Sequence, residues 1–207
     1  MIKYSINLVF FLLFSCLLSG CSYFPKLVLL LQDPLTAEEH NNLGVAYEKE
    51  GKYDLALREY KKALDKNSNL TTSIVNMGNV YSKQGKYEEA EKTYLKALGK
   101  DEKNVEAANN LASLYITLNK DYDKGLEYLT TATSSVDEIP AYALDTLGVL
   151  YHRLGNDLKA KEMLLKACES VNDDRDLLEE IEVHLRELGE EGCRTNPTQQ
   201  SGFPNKS

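Results

Sequence analysis

The sequence predicts an all-α protein, a solenoid of four helix pairs closed by one capping helix. The first observation is a repeated pair, large apolar then small: Leu43-Gly44 returns as Met77-Gly78, Leu111-Ala112 and Leu147-Gly148, at steps of 34, 34 and 36 residues. The second is the frame around each pair. Tyr47, Tyr81, Tyr115 and Tyr151 stand four residues on, and Ala56, Ala90 and Ala160 follow, then Tyr60, Tyr94 and Leu164, then Ala63, Ala97 and Ala167. Steps of four and three lay one apolar stripe on each of two helices. One such unit cannot bury its own face, so the units must stack.

Taken in order, the 207-residue chain opens with a segment of a different kind. Within residues 1–20, Lys3 is the sole charge, Ile6 to Leu18 is apolar except for Asn7 and Ser15, and Ser19-Gly20 supply small residues at the exit. That layout predicts a secretory signal peptide, and it is short for a membrane span, which takes about 20 apolar residues. The four residues Leu18-Ser19-Gly20-Cys21 resemble the lipobox of bacterial lipoproteins. The resemblance implies that the Cys21 thiol carries a thioether-linked lipid and becomes the N-terminus after cleavage. Several acyl chains, each buried methylene contributing about 0.8 kcal/mol, would then hold the protein to a membrane. Ser22 resembles residues that permit export to the outer membrane, implying a periplasm-facing lipoprotein; the outer face of the cytoplasmic membrane is the alternative. Residues 21–35 read as anchor and linker, although Tyr23-Phe24-Pro25 and Leu27 to Leu31 are unusually apolar for one.

The repeat domain spans 36–189, with units at about 37–70, 71–104, 105–140 and 141–174 and a cap helix at 175–189. Thr36-Ala37-Glu38-Glu39, after Asp33-Pro34, opens the first unit as a capping box. Pro140 opens the fourth as a first helical residue. Gly51, Gly85 and Gly155 supply the turns between paired helices, and the small residues at 44 and 56 allow those helices to approach closely. The third unit is two residues longer, has Asn119-Lys120-Asp121 in place of a glycine turn, and sets Gly125 where the others have Ala. A helical glycine costs about 1 kcal/mol relative to alanine, so this unit is expected to be the least stable. Leu177, Leu178, Ile181, Leu185 and Leu188 mark the cap helix, with Gly189 its stop. Residues 190–207 lack periodicity and read as a disordered tail.

This frame resembles the tetratricopeptide repeat (TPR), over about 140 residues. The resemblance implies a right-handed superhelix whose concave face, lined by the first helix of each pair, holds other proteins. Asn42, Asn76 and Asn110 share one frame position, with Thr146 in the fourth unit; the column resembles the asparagine ladder of peptide-binding repeats in O-linked N-acetylglucosamine transferases. Side-chain amides both donate and accept, which suits the backbone of an extended peptide. Asn79, Asp145, Val149 and Arg153 are expected to share that surface, with Glu48, Lys83, Ile116, Tyr142 and His152. The basic clamp of TPR co-chaperones is not reproduced, since Asn41, Val45 and Glu106 occupy its positions.

Composition excludes several classes. Without residues 1–20 the chain has 23 basic and 32 acidic residues, a poor balance for nucleic acid. Nine acids lie between Asp173 and Glu191, which predicts a solvated outer face for the cap. Cys16 is in the signal and Cys21 at the anchor, leaving Cys168 and Cys193. Cys168 occupies the place of Leu64 and Leu98 and reads as a small core residue; a cap helix running roughly 22 Å along its neighbour is expected to carry Cys193 out of bonding range. His40, His152 and His184 fall on three helices with no neighbouring cysteine or second histidine, so no metal site is expected. No phosphate loop, nucleophile elbow or paired carboxylates suggest catalysis or a cofactor. The expected role is a non-catalytic adaptor in the cell envelope, as for periplasmic repeat lipoproteins; the alternative is an assembly factor like the pilotins of secretins and type IV pili.

Overall fold

A computed structural model describes residues 33–134 and 136–193. Cys21, the linker before residue 33 and the tail from 194 onward lie outside the described residues. The described part is built from nine helices and contains no strand: α1 (Ala37–Lys49), α2 (Tyr53–Lys66), α3 (Thr71–Lys83), α4 (Tyr87–Leu98), α5 (Val105–Thr117), α6 (Tyr122–Thr133), α7 (Ala141–Arg153), α8 (Asp157–Ser170) and α9 (Arg175–Glu187). Each helix packs on the next, and α1, α3, α5, α7 and α9 also pack each on the following odd-numbered helix. That second set of contacts turns four hairpins into a solenoid. None of the described helices is long and apolar enough to cross a membrane.

Close approach within each pair comes from a missing side chain. A Cβ added to Gly44 would lie 2.6 Å from Cδ1 of Tyr60, one on Gly78 2.7 Å from Cδ1 of Tyr94, and one on Gly148 2.6 Å from Cγ of Leu164. Ala56, Ala90 and Ala160 are fully buried on the facing helices. In the third repeat the two small positions exchange: Ala112 stands in the glycine place, and Gly125 stands opposite it with Ala112 Cα 3.4 Å from where its Cβ would be. Gly125 therefore makes room for the extra methyl of Ala112. The turn of this repeat is built without glycine, with Asn119 at φ 51° and Asp121 at φ 52°, a left-handed backbone that Asn and Asp tolerate better than most residues. Gly51, Gly85 and Gly155 hold the same region in the other three turns, at φ 72°, 71° and 76°.

Tyrosine hydroxyls and lysines tie helices together within and between repeats. Glu48 accepts from Tyr60 Oη and from Lys83 Nζ of the next repeat, both at 2.7 Å. Glu91 likewise accepts from Tyr115 Oη at 3.0 Å and Lys120 Nζ at 2.9 Å. A buried pair closes the first hairpin, with His40 Nδ1 2.8 Å from Glu59 Oε2 and neither side chain more than 2% exposed.

Two expectations from the sequence are corrected. Pro140 precedes α7 as its N-cap, with ψ 143°, and the helix begins at Ala141. Cys168 and Cys193 form a disulfide, with Cα atoms 5.7 Å apart, and Cys168 is a half-buried bonded residue instead of a free core thiol. A separation of that length holds only for a chain that keeps running past the cap. After α9 it reverses instead, through Gly189 at φ 79° and Gly192 at φ 106°. Glu190 pairs with Lys161 of α8, and three further residues bring Cys193 back along α8 to Cys168.

The cap is anchored by Ile181 and Leu185, both fully buried against Leu144, Leu164, Ala167 and Val171. Burying two such side chains contributes about 1.5–3 kcal/mol each. Asp174 caps its start by accepting from Leu177 N at 3.0 Å.

Candidate functional site

The odd-numbered helices carry a ladder of side-chain amides, and the structure shows what each rung holds. Asn41 Oδ1 accepts from Ser73 Oγ at 2.8 Å and from Asn76 Nδ2 at 3.1 Å. One step along, Asn79 Oδ1 accepts from Tyr94 Oη at 2.8 Å and from Asn110 Nδ2 at 2.8 Å. Asn76 and Asn110 thus each lend an N–H to the preceding repeat, so the column joins repeats as well as facing outward. Asn42 is exposed on α1, and Asn76, Asn79 and Asn110 are half-buried.

Between the second and third repeats, Asn79 and Asn110 help to wall an open groove of about 360 Å³. Its lining is Asn79, Ser82, Lys83 and Tyr94 on one side and Glu106, Asn110, Ser113, Leu114 and Thr117 on the other. Asn79, Asn110 and Lys83 were expected there. Ser82, Ser113 and Thr117 were missed, although they follow at helical spacing from the asparagines. Burial first, then the charges of Glu106 and Glu48, push the Tyr94 phenol far above its ordinary value, so it remains a donor to Asn79. The groove offers amide, hydroxyl, ammonium and carboxylate groups within one cleft.

The fourth repeat departs from the expected surface. Asp145, Thr146 and Val149 are buried, at 5%, 7% and 7% exposure, and only Tyr142 and Arg153 of the expected set are exposed on α7. The cap bears on this face: α9 packs on α7 as the first helix of a fifth repeat would. Thr146 turns its hydroxyl to Tyr142 O at 3.0 Å, and Asp145 Oδ1 accepts from His184 Nδ1 of α9 at 2.7 Å.

This leaves a mark one repeat back. Asn109 occupies in the third repeat the place of Asn41 in the first, yet its Oδ1 is buried without a hydrogen-bond partner. Ser73, which serves Asn41, has Ala143 as its counterpart in the fourth repeat, and Thr146 has turned to its own backbone.

The histidines are placed apart. His40 is buried against Glu59, His152 lies 2.7 Å from Asp157 near the surface, and His184 meets Asp145. Among the described residues, Asp145, Glu180 and His184 bring three metal-binding side-chain types together, a grouping that sequence spacing did not reveal because Asp145 and His184 are 39 residues apart.

The pattern of the tetratricopeptide repeat matches residues 37–70 and 74–104, and a second pattern of the same repeat matches 141–170. No protein of curated function matches the sequence. Among solved structures, a thermophilic TPR protein of Thermus thermophilus is similar at 20% identity, with 74% of this chain and 83% of that chain covered and a TM-score of 0.62. PilF of Pseudomonas aeruginosa is similar at 20% identity over 73% of this chain and 68% of its own, with a TM-score of 0.63. MamA of Desulfovibrio magneticus is similar at 19% identity over 73% and 84%, with a TM-score of 0.55. With the matched repeats, the hairpin stacking and these likenesses together, the described residues form an all-α solenoid of the tetratricopeptide-repeat kind, with that repeat itself matched at 37–70, 74–104 and 141–170.

Proposed function

We propose that the protein is a lipid-anchored scaffold of the cell envelope that holds an extended segment of a partner protein along the groove lined by Asn79, Lys83, Asn110 and Thr117. The observation that carries this reading is the groove's lining, where paired donors and acceptors suit a peptide backbone and Lys83 and Glu106 flank it with opposite charges. The role is non-catalytic: tethering near a membrane raises the effective concentration of the partner, so modest affinity suffices. Anchoring rests on Cys21 and its lipobox-like context. The Cys168–Cys193 bond supports the same compartment, because disulfides persist where thiols are not kept reduced.

The test is a crosslinking pull-down from membranes. Since Asn76 and Asn110 also join repeats, the informative variant is Thr117→Trp, which fills the groove from an exposed position. Loss of partners with unchanged helicity supports the reading, and an unchanged partner list removes the groove from it. Mass analysis of the mature N-terminus separately checks the lipid on Cys21. The second reading is an assembly factor for a secretin or type IV pilus, with which the likeness to PilF is consistent; at 20% identity that likeness carries the fold alone. Recovery of a secretin would favour it, and recovery of a cell-wall hydrolase or protease would favour the adaptor.

A further inference from the structure

We propose that Asp145, Glu180 and His184 form a binding site for a divalent transition-metal ion, which clamps the cap helix to the fourth repeat. Their donor atoms all lie within 4.8 Å of one another. Glu180 and His184 are four residues apart on α9, one helical turn, so they project from one side of it. Asp145 reaches them from α7.

The backbone that presents these groups is held without any ion. Ile181 and Leu185, each directly following a donor residue, are fully buried, and the Cys168–Cys193 bond ties the segment after α9 to α8. Side chains set on two fixed helices need only small movements to close on an ion. Nδ1 of His184 and Oδ1 of Asp145 share a proton across 2.7 Å. A metal ion takes the place of that proton, and the two atoms separate to the roughly 3 Å kept by ligands that each stand about 2.0–2.2 Å from one ion. Glu180 is exposed, and its longer side chain closes the remaining gap. Water fills the other coordination positions.

The chemistry selects the class of ion. One imidazole with two carboxylates suits Zn²⁺ or Mn²⁺, and two negative charges match a divalent cation. The arrangement also stands outside the repeat frame, since the place of Asp145 is taken by Asn41, Val75 and Asn109 in the other three units. A pair that only docks the cap needs Asp145 and His184. Glu180 is the group that a metal site adds.

Zn²⁺ is the probe. The full chain, oxidised and stripped with a chelator, is titrated calorimetrically with Zn²⁺, and its unfolding midpoint is followed with and without the ion. The expected result is one saturable site and a higher midpoint with Zn²⁺. Glu180→Gln should weaken binding at least about tenfold while leaving the metal-free midpoint in place, because Glu180 is not part of the His184–Asp145 bond. His184→Gln should weaken binding to a similar degree, and His152→Gln should leave it intact. Absence of saturable binding overturns the proposal, as does binding that survives both Glu180→Gln and His184→Gln.

Discussion

The ring of Tyr60 fills the space that a side chain at Gly44 would need: the ring is fully buried, and its Cδ1 lies 2.6 Å from where the missing Cβ would stand. In an exposed helix, glycine to alanine stabilises by about 1 kcal/mol. Here the sign reverses. Gly44→Ala is expected to destabilise by about 1–3 kcal/mol through overpacking. Urea denaturation of Gly44→Ala beside Gly148→Ala measures it, and a gain in stability in either would contradict the packing account.

Asn109 predicts a change in the opposite direction. Ala143→Ser would place a hydroxyl where Ser73 stands relative to Asn41, giving Asn109 Oδ1 a donor. The expected gain is about 1 kcal/mol, read as a higher urea midpoint at unchanged slope.

Reduction of the Cys168–Cys193 bond, or Cys193→Ser, is expected to cost about 2–4 kcal/mol. The loss should be local. Amide exchange should quicken in α9 and the end of α8 and leave α1 to α4 unchanged, because repeats couple mainly to their neighbours. Uniform quickening along the chain would count against a cap that docks independently.

Acid should act through Glu59. Burial works against its charged form, but hydrogen bonds from His40, Lys62 and Arg58 and the charge of Lys62 outweigh it, so its carboxyl is held below the ordinary glutamate value. A lowered folded-state pKa gives stability that is present above the unfolded value and lost as pH falls through the folded one. As pH falls below about 5, through the unfolded and then the folded value, the wild type should therefore lose stability more steeply than Glu59→Gln. At neutral pH that variant should be less stable by about 1.5–3 kcal/mol, the worth of a hydrogen bond to a charged group. Parallel pH profiles would remove Glu59 from the acid response.

The third repeat should exchange its amides fastest among the four, because its turn holds two residues other than glycine in left-handed backbone, at Asn119 and Asp121. The exchange between Ala112 and Gly125 offsets part of the helical cost of glycine, so the effect should centre on the turn. Protection equal to that of its neighbours would refute this.

How far the sequence spoke depends on the range of each interaction. The helix pairs were legible because Leu43-Gly44 and its counterparts encode contacts inside one repeat or with the next, and a fixed spacing carries them. The disulfide was not legible, since it depends on a reversal through Gly189 and Gly192 that no periodicity marks. The fourth repeat's side of the groove was misjudged for a related reason. Asp145, Thr146 and Val149 were expected on the surface and are buried on α7, against which α9 packs. The asparagines were legible as a column, but position alone did not reveal that Asn76 and Asn110 already bond the preceding repeat.

Stacked repeats have an inherent hazard, because each hairpin is a template for another, and copies joined head to tail by such a face form open filaments. The cap helix takes the seat of a fifth repeat and is fastened there by Cys193 and Asp145. Removing that fastening would therefore do more than loosen one helix: it would uncover Leu144 and Leu164, turning the last repeat into a site of polymer growth.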